Sequence, residues 1–175
     1  AESNTYTTLH NCYGDLGLFD IAGFLVLEDF EDVIRCYPLV VGEFFIGLDH
    51  RLVVNTLYRE FVMTVGQMAG EFGVENLSAE AQRLYKDGKY DQEFDVVHAI
   101  EPNDDIKLGM KDAAGMKFRD VYYEAGAKDG QFLRIGGFHE FPVISPRWDV
   151  NGNDAYGSSS PGMDALPDVK QLMSE

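Results

Sequence analysis

Apolar positions recur along this chain at two periods, and the switch between them sketches the fold. Tyr6, Leu9, His10, Tyr13 and Leu16 fall at i, i+3, i+4, i+7 spacing, which predicts one apolar stripe of an N-terminal helix. Gly14 and Gly17 weaken its later part. The run from Ile21 to Leu27, the polar turn from Asp29 to Asp32 and the return from Val33 to Tyr37 read as a hairpin, with Pro38 disrupting its far end. A short strand from Glu43 to Ile46 and a turn at Asp49-His50-Arg51 lead into a long strand from Val53 to Val62. There Val54, Thr56, Tyr58 and Glu60 share one side and Val53, Leu57, Arg59 and Phe61 the other, as expected of a strand with one wet face.

Two helices interrupt the strands. Thr64 with Gln67 three residues on is a capping-box pattern, and that helix should stop at Gly73. Ser78 caps a second, with Ala81, Leu84 and Tyr85 on its apolar face and Gly88 at its end. Strands resume at Phe94–Ile100 and then as Phe118–Glu124 and Gln131–Ile135, a hairpin turning at Asp129-Gly130. Between them, 103–116 reads as the longest irregular stretch. Phe141 to Trp148 is extended again, and Pro142 and Pro146 place it on a sheet edge or on a strand broken by bulges. A polar, turn-rich loop follows, and from about residue 160 a helix leaves toward the C-terminus. The fold class is α+β: a mainly antiparallel sheet or partly open barrel, short inserted helices, a helix at each end, and no βαβ alternation. With no obvious linker, residues 1–175 read as a single region.

The charge balance narrows the function. Thirty acidic residues face 14 basic ones, a formal net charge of −16. Gripping duplex DNA requires a surplus of Lys and Arg to neutralise phosphates, so a DNA-gripping module is excluded. Apolar residues make up 45% of the chain, enough for a folded core, and no apolar run approaches the length of a transmembrane helix. Cys12 and Cys36 are far apart, in no metal spacing, among apolar neighbours, and read as buried free thiols. The chain opens without Met and closes with apolar residues still at helical spacing and no cap; it is expected to be a piece of a longer polypeptide.

Motifs for chemistry are sparse. His10, His50, His98 and His139 are not paired with one another or with Cys at ligand spacing; His98 reads as a sheet residue and His139 as a turn residue. His139 and Glu140 are neighbours and would point to opposite faces of a strand. No nucleophile elbow or phosphate-binding glycine loop occurs. Glu28-Asp29, Glu31-Asp32 and Asp104-Asp105 read as solvated turns, and Gly66, Gly70 and Gly73 are spaced like helix-packing glycines. Asp149-x-Asn151-x-Asn153 imitates the first half of a calcium loop, but its sixth position is Asp154 instead of Gly and its twelfth is Ser160 instead of Glu. A calcium- or metal-dependent module or enzyme using the Asp149–Asp154 loop is therefore the alternative function. Arg147 beside Trp148, the single tryptophan, suits either a core position or a joint where the guanidinium stacks or clamps a carboxylate.

The closing segment is the most specific. Pro146-Arg147-Trp148, then Tyr156-Gly157, then Ser160-Pro161-Gly162-Met163-Asp164-Ala165-Leu166-Pro167-Asp168-Val169-Lys170 resembles the signature of the head-to-tail connector, or portal, proteins of short-tailed bacteriophages. Asp15-Leu16-Gly17, Gly42-Glu43-Phe44-Phe45-Ile46, Tyr58-Arg59-Glu60-Phe61, His98 to Asp105 and Gly136-Gly137-Phe138 agree in order, so the likeness spans nearly the whole chain. The Ser158-Ser159-Ser160 tract departs from it, since family members often carry a basic residue there. The resemblance implies a wing-type region of a longer portal subunit, with Pro146, Arg147, Trp148, Tyr156, Gly157, Pro161, Gly162, Met163, Asp164, Pro167 and Asp168 as structural motif residues. It further implies a dodecameric ring at the portal vertex of the virion that contacts capsid, tail-adaptor and terminase proteins. DNA would pass through the ring without sequence-specific binding, and no cofactor, membrane or catalysis by the subunit itself is implied.

Overall fold

A computed structural model describes residues 3–107, 109–110, 112–126 and 131–174. In chain order the elements are α1 (Thr5–Phe19), β1 (Phe24–Asp29), β2 (Val33–Pro38), β3 (Phe44–Leu48), β4 (Val54–Thr64), α2 (Val65–Phe72), α3 (Ala79–Lys86), β5 (Glu93–Pro102), β6 (Phe118–Glu124), β7 (Arg134–Phe138), β8 (Val143–Ile144) and α4 (Pro161–Ser174). Single 3-10 turns occur at Val74–Asn76 and Ala113–Gly115. The class is α+β, and the strands form antiparallel sheets that do not close into a barrel. Two compact units result: one from the chain up to Val54 together with Pro142 onward, the other from Asn55–Phe141.

In the first unit the strand order is β2-β1-β8. The expected hairpin forms, with Phe24 opposite Pro38 and Asp29 opposite Val33. β8 takes the edge that its flanking prolines suggested, with Leu25 opposite Val143. Pro142 and Pro146 offer only their carbonyls, to Val26 N at 2.8 Å and Ala22 N at 3.2 Å. Without an N–H to return, the ladder stays sparse there. At the other edge the Asn4 side chain stands in for a further strand, accepting from Cys36 N at 2.8 Å and donating to Cys36 O at 2.7 Å. That amide blunts an edge otherwise open to pairing.

α1 forms where its period placed it, but a different face is inward. Tyr6 and Tyr13 are 87% and 68% exposed, whereas Thr8 and Cys12 are buried. Leu9 and Leu16 pack beside Cys12, Ala22, Phe24 and Cys36. Small side chains at Thr8 and Cys12 bring the helix close to the sheet, so the stripe that packs is Thr8-Leu9-Cys12-Leu16. Burial pushes the Cys12 thiol pKa up, aided by Asp15, and both cysteines are free.

In the second unit β4, β5, β6 and β7 follow one another across the sheet, with Leu57 opposite Ile100, His98 opposite Tyr122 and Tyr122 opposite Arg134. The capping box is present: Thr64 Oγ1 accepts from Gln67 N and Gln67 Oε1 from Thr64 N. Ser78 Oγ caps α3 through Ala81 N. Val65, Met68, Phe72, Leu77, Ala81, Leu84, Val96 and Leu133 form one buried cluster between these helices and the sheet, each large side chain contributing about 1.5–3 kcal/mol. The glycines of α2 do not pack helices: a Cβ on Gly70 would meet open space, and Gly73 is the C-cap, at φ +83°. The Asp129-Gly130 turn lies outside the described residues.

Candidate functional site

The joint at the end of the chain is built around Asp20, which terminates α1 in the left-handed region at φ 64°. Asp tolerates that backbone better than most residues. The reversal aims two acceptors at the closing segment. Asp20 O accepts from Trp148 N at 2.9 Å, and its buried carboxylate accepts from the N–H of Ser160, which is wholly buried. Ser160 then caps α4, receiving Met163 N on its hydroxyl at 3.4 Å and Asp164 N on its carbonyl at 2.9 Å.

Two of the motif glycines have steric reasons. A Cβ on Gly157 would lie 2.4 Å from Asp20 O and 3.1 Å from Trp148 N. One on Gly162 would lie 2.8 Å from Leu18 Cα and 2.9 Å from Leu18 O. The second contact sets α4 directly against the last turn of α1. Tyr156 reaches β3, its hydroxyl accepting from Ile46 N at 3.3 Å. Among the described residues Arg147 neither clamps a carboxylate nor stacks on Trp148; it donates to Ala155 O at 3.1 Å and closes the loop. Trp148 is half-exposed, so it is not a core residue. Pro161 opens α4, the usual place for a residue without an N–H. Met163, Asp164, Pro167 and Asp168 lie on the exposed length of that helix, with Pro167 inside it.

The loop that imitates a calcium site is closed by its own hydrogen bonds. Asp149 O accepts from Ser158 N at 2.8 Å, Asn151 Nδ2 donates to Ser158 Oγ at 2.9 Å, and Asp154 N donates to Asn151 O at 3.2 Å. Among the described residues no group of three or more His, Cys, Asp or Glu is placed to hold a metal ion. Nor is any helix among them long and apolar enough to cross a membrane.

A second polar constellation lies in the other unit. Register lines up Arg59, His98, Tyr122 and Arg134 across four strands. The His98 ring stacks on Tyr122 at 3.9 Å, and Arg134 covers the other ring at 4.4 Å. His98, 2% exposed, holds Asp120 Oδ1 at 2.6 Å through Nε2. Burial pushes the imidazole pKa down despite Asp120, so the neutral ring donates from Nε2 to the carboxylate. Tyr122 is raised to about 12, by burial first and Asp120 second. Among the described residues the His98 ring has one hydrogen-bond partner, the Asp120 carboxylate. On the strands' other side Tyr58 donates to Glu101, which also receives Arg119, and the phenol is pushed up to about 12, chiefly by that bond. Burial opposes ionisation of Glu101, but its two donors outweigh it and lower its pKa. That carboxylate is occupied, which suits a cross-strand brace better than an acid or base.

The sequence pointed to the closing motif but not to Asp20, whose only signal is an Asp between a helix pattern and a strand. The His98–Asp120 pair needed the β5–β6 register to be seen.

This geometry defines a structural joint between a helix, a sheet edge and a departing helix. The chain belongs to the family of bacteriophage head-to-tail connecting proteins, whose family model it matches over residues 1–175. Among its relatives, the probable portal protein of Bordetella phage BPP-1 is 44% identical over 175 residues, covering 100% of this chain and 31% of that protein. The portal protein of Salmonella phage epsilon15 is 41% identical over 174 residues, covering 99% of this chain and 31% of that protein. The chain thus spans about a third of the length of the curated relatives it matches.

Proposed function

We propose that this chain is a wing-type region of a longer portal subunit, that twelve subunits form a ring at one vertex of the virion, and that DNA is packaged and ejected through it. The observation that carries this reading is the match along the full chain to portal proteins at 41–44% identity. The subunit catalyses nothing; ATP hydrolysis belongs to the terminase that docks on the ring, and capsid and tail-adaptor proteins are its other neighbours. The joint serves that role by holding α4 against the last turn of α1. The excess of carboxylates, −16 in all, suits a ring that lets DNA slide, because few phosphates are neutralised and none is held. Exposed aromatic residues such as Tyr6, Tyr13, Phe30 and Trp148 suit a protein that buries surface against neighbours. Negative-stain microscopy and native mass spectrometry of the longer subunit test this: closed twelve-membered rings are expected, and a stable monomer would refute it.

A further inference from the structure

The β1–β2 hairpin ends in an uncovered apolar tip. Phe30 is fully exposed, Val33 is 76% exposed and Ile34 is 44% exposed. With Leu27 they line an open pocket of about 560 Å³. The tip is ordered by its own turn: Asp29 Oδ1 accepts from Glu31 N and Asp32 N, each at 2.8 Å. Glu28 and Asp29 precede Phe30 in the sequence and Glu31 and Asp32 follow it, so the tip carries four acidic residues beside one aromatic. An aromatic presented this way gains by leaving water, and its acidic rim selects a cationic counterpart.

The chain contains such a counterpart. Arg83, Lys86 and Lys89 lie within seven positions, the densest cationic stretch in a sequence with 14 basic residues; Asp87 is the one acidic residue among them. All three are exposed, and among the described residues none is in an ion pair. The end of α3 fixes their position. Gly88 at φ +75° lets Gly88 N reach Tyr85 O at 3.1 Å and Lys89 N reach Leu84 O at 2.9 Å, the Schellman closure. Tyr90 follows, half-exposed, edge-on to Tyr85 at 5.0 Å, with its carbonyl accepting from Gly66 N at 3.0 Å.

We propose that the Phe30 hairpin of one copy docks on the end of α3 in a second copy, with Phe30 against Tyr90 and the Glu31 and Asp32 carboxylates facing Lys86 and Lys89. The inference rests on the ring reading above and names one of its subunit contacts. Charge decides between this and the simpler two-fold contact, because tip against tip would crowd the carboxylates of both hairpins together. Two different patches meeting head to tail also generate a ring when the rotation closes.

The test uses full-length subunits carrying the photo-cross-linker p-benzoylphenylalanine at position 30, assembled from a mixture of isotopically light and heavy copies and mapped by mass spectrometry. Mixed-isotope cross-links from position 30 to residues 83–92 are expected. Cross-links within one copy, to another hairpin or elsewhere, or none at all in well-formed rings, would overturn the contact while leaving the ring reading intact. If wild-type subunits form no rings, both fall. Independently, Glu31→Lys with Asp32→Lys should slow assembly about tenfold at low salt, and much less at high salt. Adding Lys86→Glu and Lys89→Glu should restore the rate; equal rates for wild type and the first pair would contradict the proposal.

Discussion

Replacing Asp20 probes the joint at its centre, because one residue supplies two separable effects. Asp20→Ala removes the only acceptor described for the buried Ser160 N–H, and orphaning such a donor costs about 1–3 kcal/mol. It also forces alanine into φ 64°, where an ordinary L-residue pays about 1–2 kcal/mol. The sum is a loss of about 2–5 kcal/mol. Asp20→Gly keeps the backbone relaxed and loses only the acceptor, about 1–3 kcal/mol. Asp20→Asn keeps an oxygen acceptor and a residue suited to left-handed backbone, so its loss stays below about 1 kcal/mol. Trp148 is the single tryptophan of the chain and donates to Asp20 O, so its fluorescence reports the joint during urea unfolding. With a slope of about 2 kcal/mol per molar, a loss of 3 kcal/mol lowers the midpoint by about 1.5 M. The expected order of midpoints is wild type, Asn, Gly, Ala. Equal midpoints for the Asn and Ala variants would refute the reasoning.

Other expectations follow from the same structure. Gly162→Ala should destabilise by about 1–3 kcal/mol in the same assay, because its Cβ meets α1 backbone. Gly70→Ala, with open space at its Cβ, should be neutral or stabilise by up to about 1 kcal/mol. Lowering pH should destabilise the chain through His98, whose pKa in the fold is depressed below the ordinary 6.5. The unfolded chain takes up the proton first, so this contribution is complete above pH 6.5 and is lost from there downward. His98→Gln should flatten stability between pH 5 and 7, and an unchanged slope would refute the assignment. Millimolar Ca²⁺ or Mg²⁺ should leave Tm unchanged; a rise abolished by Asp149→Ala with Asn151→Ala would restore the ion-binding loop.

Local signals were the legible ones. Thr64 with Gln67, Ser78 and Gly88 mark their helix ends from neighbours within four residues, and Pro142 and Pro146 mark a sparse edge because each lacks a donor. The inward face of α1 was not legible. Its aromatic period is stronger than that of Thr8 and Cys12, yet close approach to the sheet favours small side chains. Asp20 and the His98–Asp120 pair were invisible for another reason. Their partners, Ser160 and a neighbouring strand, are 140 and 22 positions away, and no local pattern encodes a contact across such a distance. In the closing motif, the glycines gain a physical reason only once α1 is in place, since Gly157 and Gly162 are defined by what their missing Cβ would strike.

The most direct measurement is a cryo-electron microscopy reconstruction of the phage particle without imposed capsid symmetry. The account predicts this fold repeated twelve times around one vertex, with DNA on the axis and no ordered contact to its bases. Density for the chain at every vertex, or none in the particle, would contradict it.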